Sequence, residues 1–120
     1  MATLSFRPIT VSFTPSARRE LHAFVSSVYR GAWGEGLVPV VSLERSTVHV
    51  DQSTGGTMTR KPGFVLGATV VDHYRDACAL ALPRLGSLDG MGFLVQLPPR
   101  AAILDRIDFD WRGNRLLALN

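Results

Sequence analysis

Apolar residues recur along this chain at two periods. Between Ala17 and Val28 they fall three or four positions apart, at Ala17, Leu21, Phe24, Val25 and Val28, the spacing of one helix face. Thr14-Pro15 precedes this stripe: a hydroxyl able to cap free N–H groups, then a proline suited to the first helical position. Gly31 follows it as a left-handed stop. A helix is therefore predicted there, with Arg18, His22 and Ser26 turned away from the core.

Elsewhere the period is two, or the run is unbroken. Gly63-Phe64-Val65-Leu66-Gly67-Ala68-Thr69-Val70-Val71 is the longest apolar run and is rich in strand-forming residues. It predicts a strand buried on both faces, with Gly67 marking a bulge or a close backbone approach. Thr10–Phe13, Leu37–Leu43 and Phe93–Leu97 read as further strands. Thr47–Asp51 and Thr57–Arg60 flank a five-residue turn, Gln52-Ser53-Thr54-Gly55-Gly56, and predict a hairpin. At the end, Ile107, Phe109 and Trp111 alternate with Asp108 and Asp110 before Arg112-Gly113-Asn114 turns into Arg115–Leu119, a second hairpin with one apolar face. Asp76–Leu82 fits a helical turn stopped by Pro83, and Ala101–Leu104 a short helix or turn. Together these predict one α+β domain spanning residues 1–120. One main helix packs on a mixed, mostly antiparallel sheet of about six strands.

Composition changes this picture little. The 46% apolar content suits a folded core. The net charge of +3 suggests a basic surface, but the 13 basic residues, all Arg except Lys61, are spread from Arg7 to Arg115. Nucleic-acid binders concentrate such charge, so a nucleic acid is not the expected partner. Cys78 alone excludes an internal disulfide framework. The start of the sequence has no apolar signal region, and no segment approaches the 18 apolar residues of a membrane helix. A cytoplasmic protein without a membrane partner is expected.

Candidate chemistry gathers in Asp72-His73-Tyr74-Arg75-Asp76-Ala77-Cys78. If helical, this segment puts Asp72 and Asp76 on one face, with His73 and Cys78 as further metal donors. Cys78 with His73 could also serve as nucleophile and base, although the surrounding Ala and Leu raise a thiol's pKa. The plainer reading is a charged segment with Asp72 paired to Arg75 and an inert Cys. Asp108 and Asp110, about 7 Å apart on one strand face, could form a carboxylate pair, or an ordinary exterior neutralised by Arg112 and Arg115. The glycines of Gly31–Gly36 and Gly86–Gly92 precede strands, whereas a phosphate cradle opens a helix, so both are read as connections. Trp33, in the first of these loops, is a candidate interface anchor. Phe93 and Val95 lie in an uncharged strand with nothing to discourage edge pairing, and are candidate interface residues too.

The opening strand, Phe13-Thr14-Pro15-Ser16-Ala17 entering a helix, and the curled strands beyond resemble the HesB-like fold of A-type iron–sulfur carrier proteins. Leu104-Asp105-Arg106-Ile107-Asp108-Phe109 is similar to that family's Leu-x-Gly-x-x-Ile-Asp-Tyr segment, but shorter and without the Gly. The resemblance implies the scaffold. It implies no activity, because Leu37–Leu43 is not followed by the family's first Cys and no Cys-x-Cys closes the sequence. No cofactor is expected, since a cluster is held mainly by several Cys thiolates. The leading functional expectation is a non-catalytic binding or assembly module with a protein partner or a second copy. The alternatives are a metal- or Cys-dependent enzyme centred on Asp72, His73, Asp76 and Cys78, and an iron–sulfur carrier relative with other ligands.

Overall fold

The helix forms where its caps place it. In this computed structural model, which describes residues 5–44, 47–50, 53–60, 63–76, 82–98 and 105–119, α1 runs Pro15–Tyr29. The Thr14 hydroxyl accepts from the N–H of Ala17, and Gly31, at φ +79°, donates its N–H to the carbonyl of Val28. Ala17, Leu21, Val25 and Val28 are buried, and Phe24 sits at the margin of the stripe, edge-on to Trp33.

Among the described residues, nine strands surround or extend from this helix: β1 Thr10–Phe13, β2 Val38–Glu44, β3 Thr47–Val50, β4 Thr57–Arg60, β5 Gly63–Thr69, β6 Arg84–Leu88, β7 Met91–Gln96, β8 Arg106–Arg112 and β9 Arg115–Ala118. Seven form one curled sheet in the order β1-β8-β9-β5-β2-β7-β6. The pairs β1/β8 and β2/β7 are parallel and the rest antiparallel, so the α+β class and the mostly antiparallel sheet stand, with seven strands where about six were expected. The sheet nearly closes into a barrel. The chain entering β1 crosses to the opposite edge, where the N–H of Ile9 bonds Leu85 and the N–H of Leu85 bonds Arg7. Inside, Ala17, Leu21 and Val25 meet Val41, Phe64, Leu88, Phe93, Val95, Ile107, Phe109 and Leu116, drawn from six strands.

The outer face is covered only locally. A 3-10 turn at Val71–Tyr74 lays Tyr74 over Val40 and Leu94, and Phe6 meets Tyr74 edge-on. This corrects the reading of β5 as buried on both faces. Phe64 points inward and is buried, but Val65 on the opposite face is 44% exposed, because the covering turn lies over β2 and β7. Nor does Gly67 mark a bulge: β5 pairs with β2 in unbroken register, Val40 facing Gly67.

The strand β6 runs through what reads in sequence as a glycine loop. Asp89 and Gly90, both with positive φ, form a two-residue turn between β6 and β7. Gly86 lies in the interior of β6 because the Phe93 ring covers it from β7. A Cβ on Gly86 would stand 2.8 Å from that ring.

Candidate functional site

The donors expected to gather after β5 are only partly brought together. Asp72 and His73 fall within the 3-10 turn, Asp76 lies two residues beyond it, and Cys78 lies outside the described residues. Asp72 accepts from Arg75 at 2.9 Å with both side chains well exposed, and the His73 ring stands edge-on to Tyr74. Among the described residues, no group of three or more His, Cys, Asp or Glu is placed to hold a metal ion.

The candidate interface residues separate into two kinds. Trp33 is 49% exposed, with its Nε1 donating to the Ser27 hydroxyl and its ring against Phe24. Phe93 and Val95 require correction. They are 1% and 0% exposed, and β7 is flanked by β6 and β2, so neither residue lies on a free edge. The sequence pattern of β7 alone does not reveal the strand that covers it.

Two polar arrangements have clear geometry. On the face of β8 away from the helix, parallel register sets Ser12 against Asp108 and carries Thr14 level with Asp110. The Ser12 hydroxyl donates to Asp108, which also accepts from Arg106 at 2.8 Å. The Thr14 hydroxyl donates to Asp110 at 2.7 Å, and Arg112 completes the second set. Asp108 and Asp110 thus take separate partners instead of sharing a proton. Thr14 has two roles, since the same oxygen caps α1.

These contacts hold both carboxyls below their ordinary value: Asp108 chiefly through Ser12 and then Arg106, Asp110 chiefly through Thr14 against the opposing effect of burial. A carboxyl whose pKa drops on folding stabilises the fold above its unfolded pKa. That contribution is lost as pH falls through the folded value. The denaturation midpoint is therefore expected to hold near neutrality and to fall below about pH 4, the usual Asp range. The fall should be shallower in Asp108→Asn and Asp110→Asn. Equal acid slopes in wild type and both variants would remove this assignment.

The second arrangement is the barrel seam. An open groove of about 360 Å³ is lined by Arg7, Pro8, Ile9, Thr10, Arg84 and Asp105. The Arg84 side chain is only 10% exposed. Its guanidinium donates to the carbonyls of Arg7 and Pro8 and to the Asp105 carboxylate, at 3.3, 2.6 and 3.1 Å. That cation is engaged in joining the N-terminal segment to β6.

The third feature is a ribbon. Glu44 faces Gly63 at the end of β2/β5, and Thr47 faces Arg60 in β3/β4, so three residues forward on one arm match three back on the other. The hairpin therefore keeps the register of β2/β5, as a separate two-stranded sheet. Among the described residues, β3 and β4 pair only with each other. The molecule measures 53 × 34 × 31 Å with a radius of gyration of 15.5 Å, against about 13.5 Å for a compact chain of this length. The hairpin was legible in sequence. Its alignment with the barrel strands was not, because that depends on the register of β2/β5.

No family model, curated protein or solved structure matches the chain. Among the described residues, no helix is long and apolar enough to cross a membrane.

Proposed function

We propose that the chain is a non-catalytic binding or assembly module whose contact element is the β3/β4 ribbon. One observation carries this reading: the hairpin β3/β4 keeps the register of the barrel pair β2/β5, and among the described residues no further strand lies beside it. A lone two-stranded hairpin is marginal in water, and three or more strands or a packed face are needed for independent stability. Unpaired N–H and C=O groups on its outer edges are a template for another strand. A partner strand would satisfy those groups and hold the ribbon. The HesB-like scaffold is proposed with it, on the sequence order of a strand, the Thr14-Pro15 helix entry and the strands that follow.

The test uses the full chain with a photoreactive residue placed singly at His49 or Met58 on the ribbon, or at Ser87 on the barrel. Irradiation in the producing cells is expected to give adducts from the ribbon positions well above those from Ser87. No adduct from either ribbon position, or an equal yield from Ser87, would overturn the reading.

A further inference from the structure

Asp89-Gly90 is the one Asp-Gly or Asn-Gly pair in the sequence. It forms the exposed turn between β6 and β7, with φ of 51° at Asp89 and 81° at Gly90. Aspartate tolerates this left-handed conformation and glycine adopts it freely. The same pair of residues has a chemical consequence. Glycine has no side chain to keep its amide nitrogen from the carboxyl carbon of the residue before it. When Gly90 N bonds to Asp89 Cγ, water leaves and a five-membered succinimide closes. Water then reopens the ring at either carbonyl, giving back aspartate or giving isoaspartate, in which the main chain runs through the former side-chain carboxyl. Atoms balance, and water is the only co-reactant.

Helix α1 ties down the carboxyl that must react. Arg18 Nη1 donates to one Asp89 oxygen at 2.6 Å, and His22 Nδ1 stands 3.0 Å from the other. Arg18 and His22 lie about one helical turn apart, and the Arg18 guanidinium also sits 5.9 Å from the centre of the Phe13 ring. Both carboxylate oxygens are thus bonded across to α1, whereas ring closure turns the carboxyl back onto its own chain. Those contacts break first. Further along the helix, Ser26 donates to the Met91 sulfur at 3.7 Å and Tyr29 to the Gly92 carbonyl. The hairpin is therefore fastened to α1 at Asp89 and again beyond the turn.

We propose that Asp89-Gly90 is a site of slow self-modification to isoaspartate, and that Arg18 and His22 restrain it by occupying the carboxylate. The product adds a methylene to the main chain of a two-residue turn and moves the charged group, so the modified hairpin loses its fit to α1.

The experiment holds the full chain in warm neutral buffer for weeks and separates aspartyl from isoaspartyl forms of the peptide around Asp89 by chromatography with fragmentation. The double variant Arg18→Met, His22→Ala is expected to form isoaspartate about three- to tenfold faster than wild type, the scale of losing two exposed contacts. Both side chains are about half exposed, so the variant keeps its core. Two controls separate the restraint from general loosening. Arg19→Met removes a neighbouring charge, and Ser26→Ala removes another bond between α1 and the hairpin; both are expected to leave the rate unchanged. Equal rates in wild type and the double variant would overturn the proposal, as would a rise in Ser26→Ala as large as in the double variant. So would a folded double variant that stays free of isoaspartate while the urea-denatured chain converts, because the turn alone would then lock the site.

Discussion

Phe93→Ala is expected to cost about 3–5 kcal/mol of folding stability, the range for deleting a buried aromatic side chain. Phe93 is fully enclosed in the core, and its ring also stacks at a tilt near Phe13. The site has little means of collapsing, because the cross-strand neighbour under the ring is Gly86, which has no side chain to move into the gap. A domain of this size is stable by about 5–15 kcal/mol, so one substitution removes a large share. The same geometry makes a second, coupled prediction within the measurement. Gly86→Ala puts a methyl group into the ring and should cost about 1–3 kcal/mol by overpacking. In the Phe93→Ala background the ring is gone, and Gly86→Ala should then cost much less. Denaturant unfolding of the two single variants and the double variant checks both points. Additive losses, or a Phe93→Ala loss below about 1 kcal/mol, would show that the ring does not fill the space over Gly86.

What the sequence made legible was local, and what it hid was pairing. The helix could be placed because Thr14, Pro15 and Gly31 bracket a stripe with a single period, and each of these signals acts within a few residues. The hairpin β8/β9 and the ribbon were legible for the same reason. β6 was not, although Asp89-Gly90 between Leu88 and Met91 is a strong hairpin signal. Gly86 and Gly92, one on either side, made the stretch look like a loop, and only the Phe93 ring over Gly86 explains a glycine inside a strand. Missing β6 turned β7 into an apparent edge, which is why Phe93 and Val95 looked available to a partner. The error over β5 has a related cause. An apolar run shows that a strand can be buried, but which face is covered depends on the turn that carries Tyr74, several residues away. In the segment after β5, Asp72 pairs with Arg75 at the surface, as the plainer reading of that segment has it.

Arg84→Met is expected to loosen the barrel at one place. The substitution keeps an apolar stem in a buried position and removes the donors that reach Arg7, Pro8 and Asp105. The interactions at this part of the seam differ in magnitude. The ion pair with Asp105 counts least, because Asp105 is 81% exposed and such pairs contribute at most about 1 kcal/mol. The backbone bonds between Ile9, Leu85 and Arg7 survive the substitution. The bonds from the guanidinium to the two carbonyls are lost, and hydrogen bonds to a charged group are worth about 1.5–3 kcal/mol each when buried. Pro8 has no N–H to add to the seam, and its carbonyl accepts from Arg84. Partial rescue by water reduces the expected loss to about 1–3 kcal/mol in total. Asp105→Asn should cost under about 0.5 kcal/mol. Hydrogen exchange locates the effect: the amides of Ile9 and Leu85 should lose protection in Arg84→Met, and those of β8 and β9 should keep theirs. Uniform loss across the barrel would mean that Arg84 contributes to global stability and does not fasten the seam. Equal costs for Asp105→Asn and Arg84→Met would instead assign the effect to the ion pair.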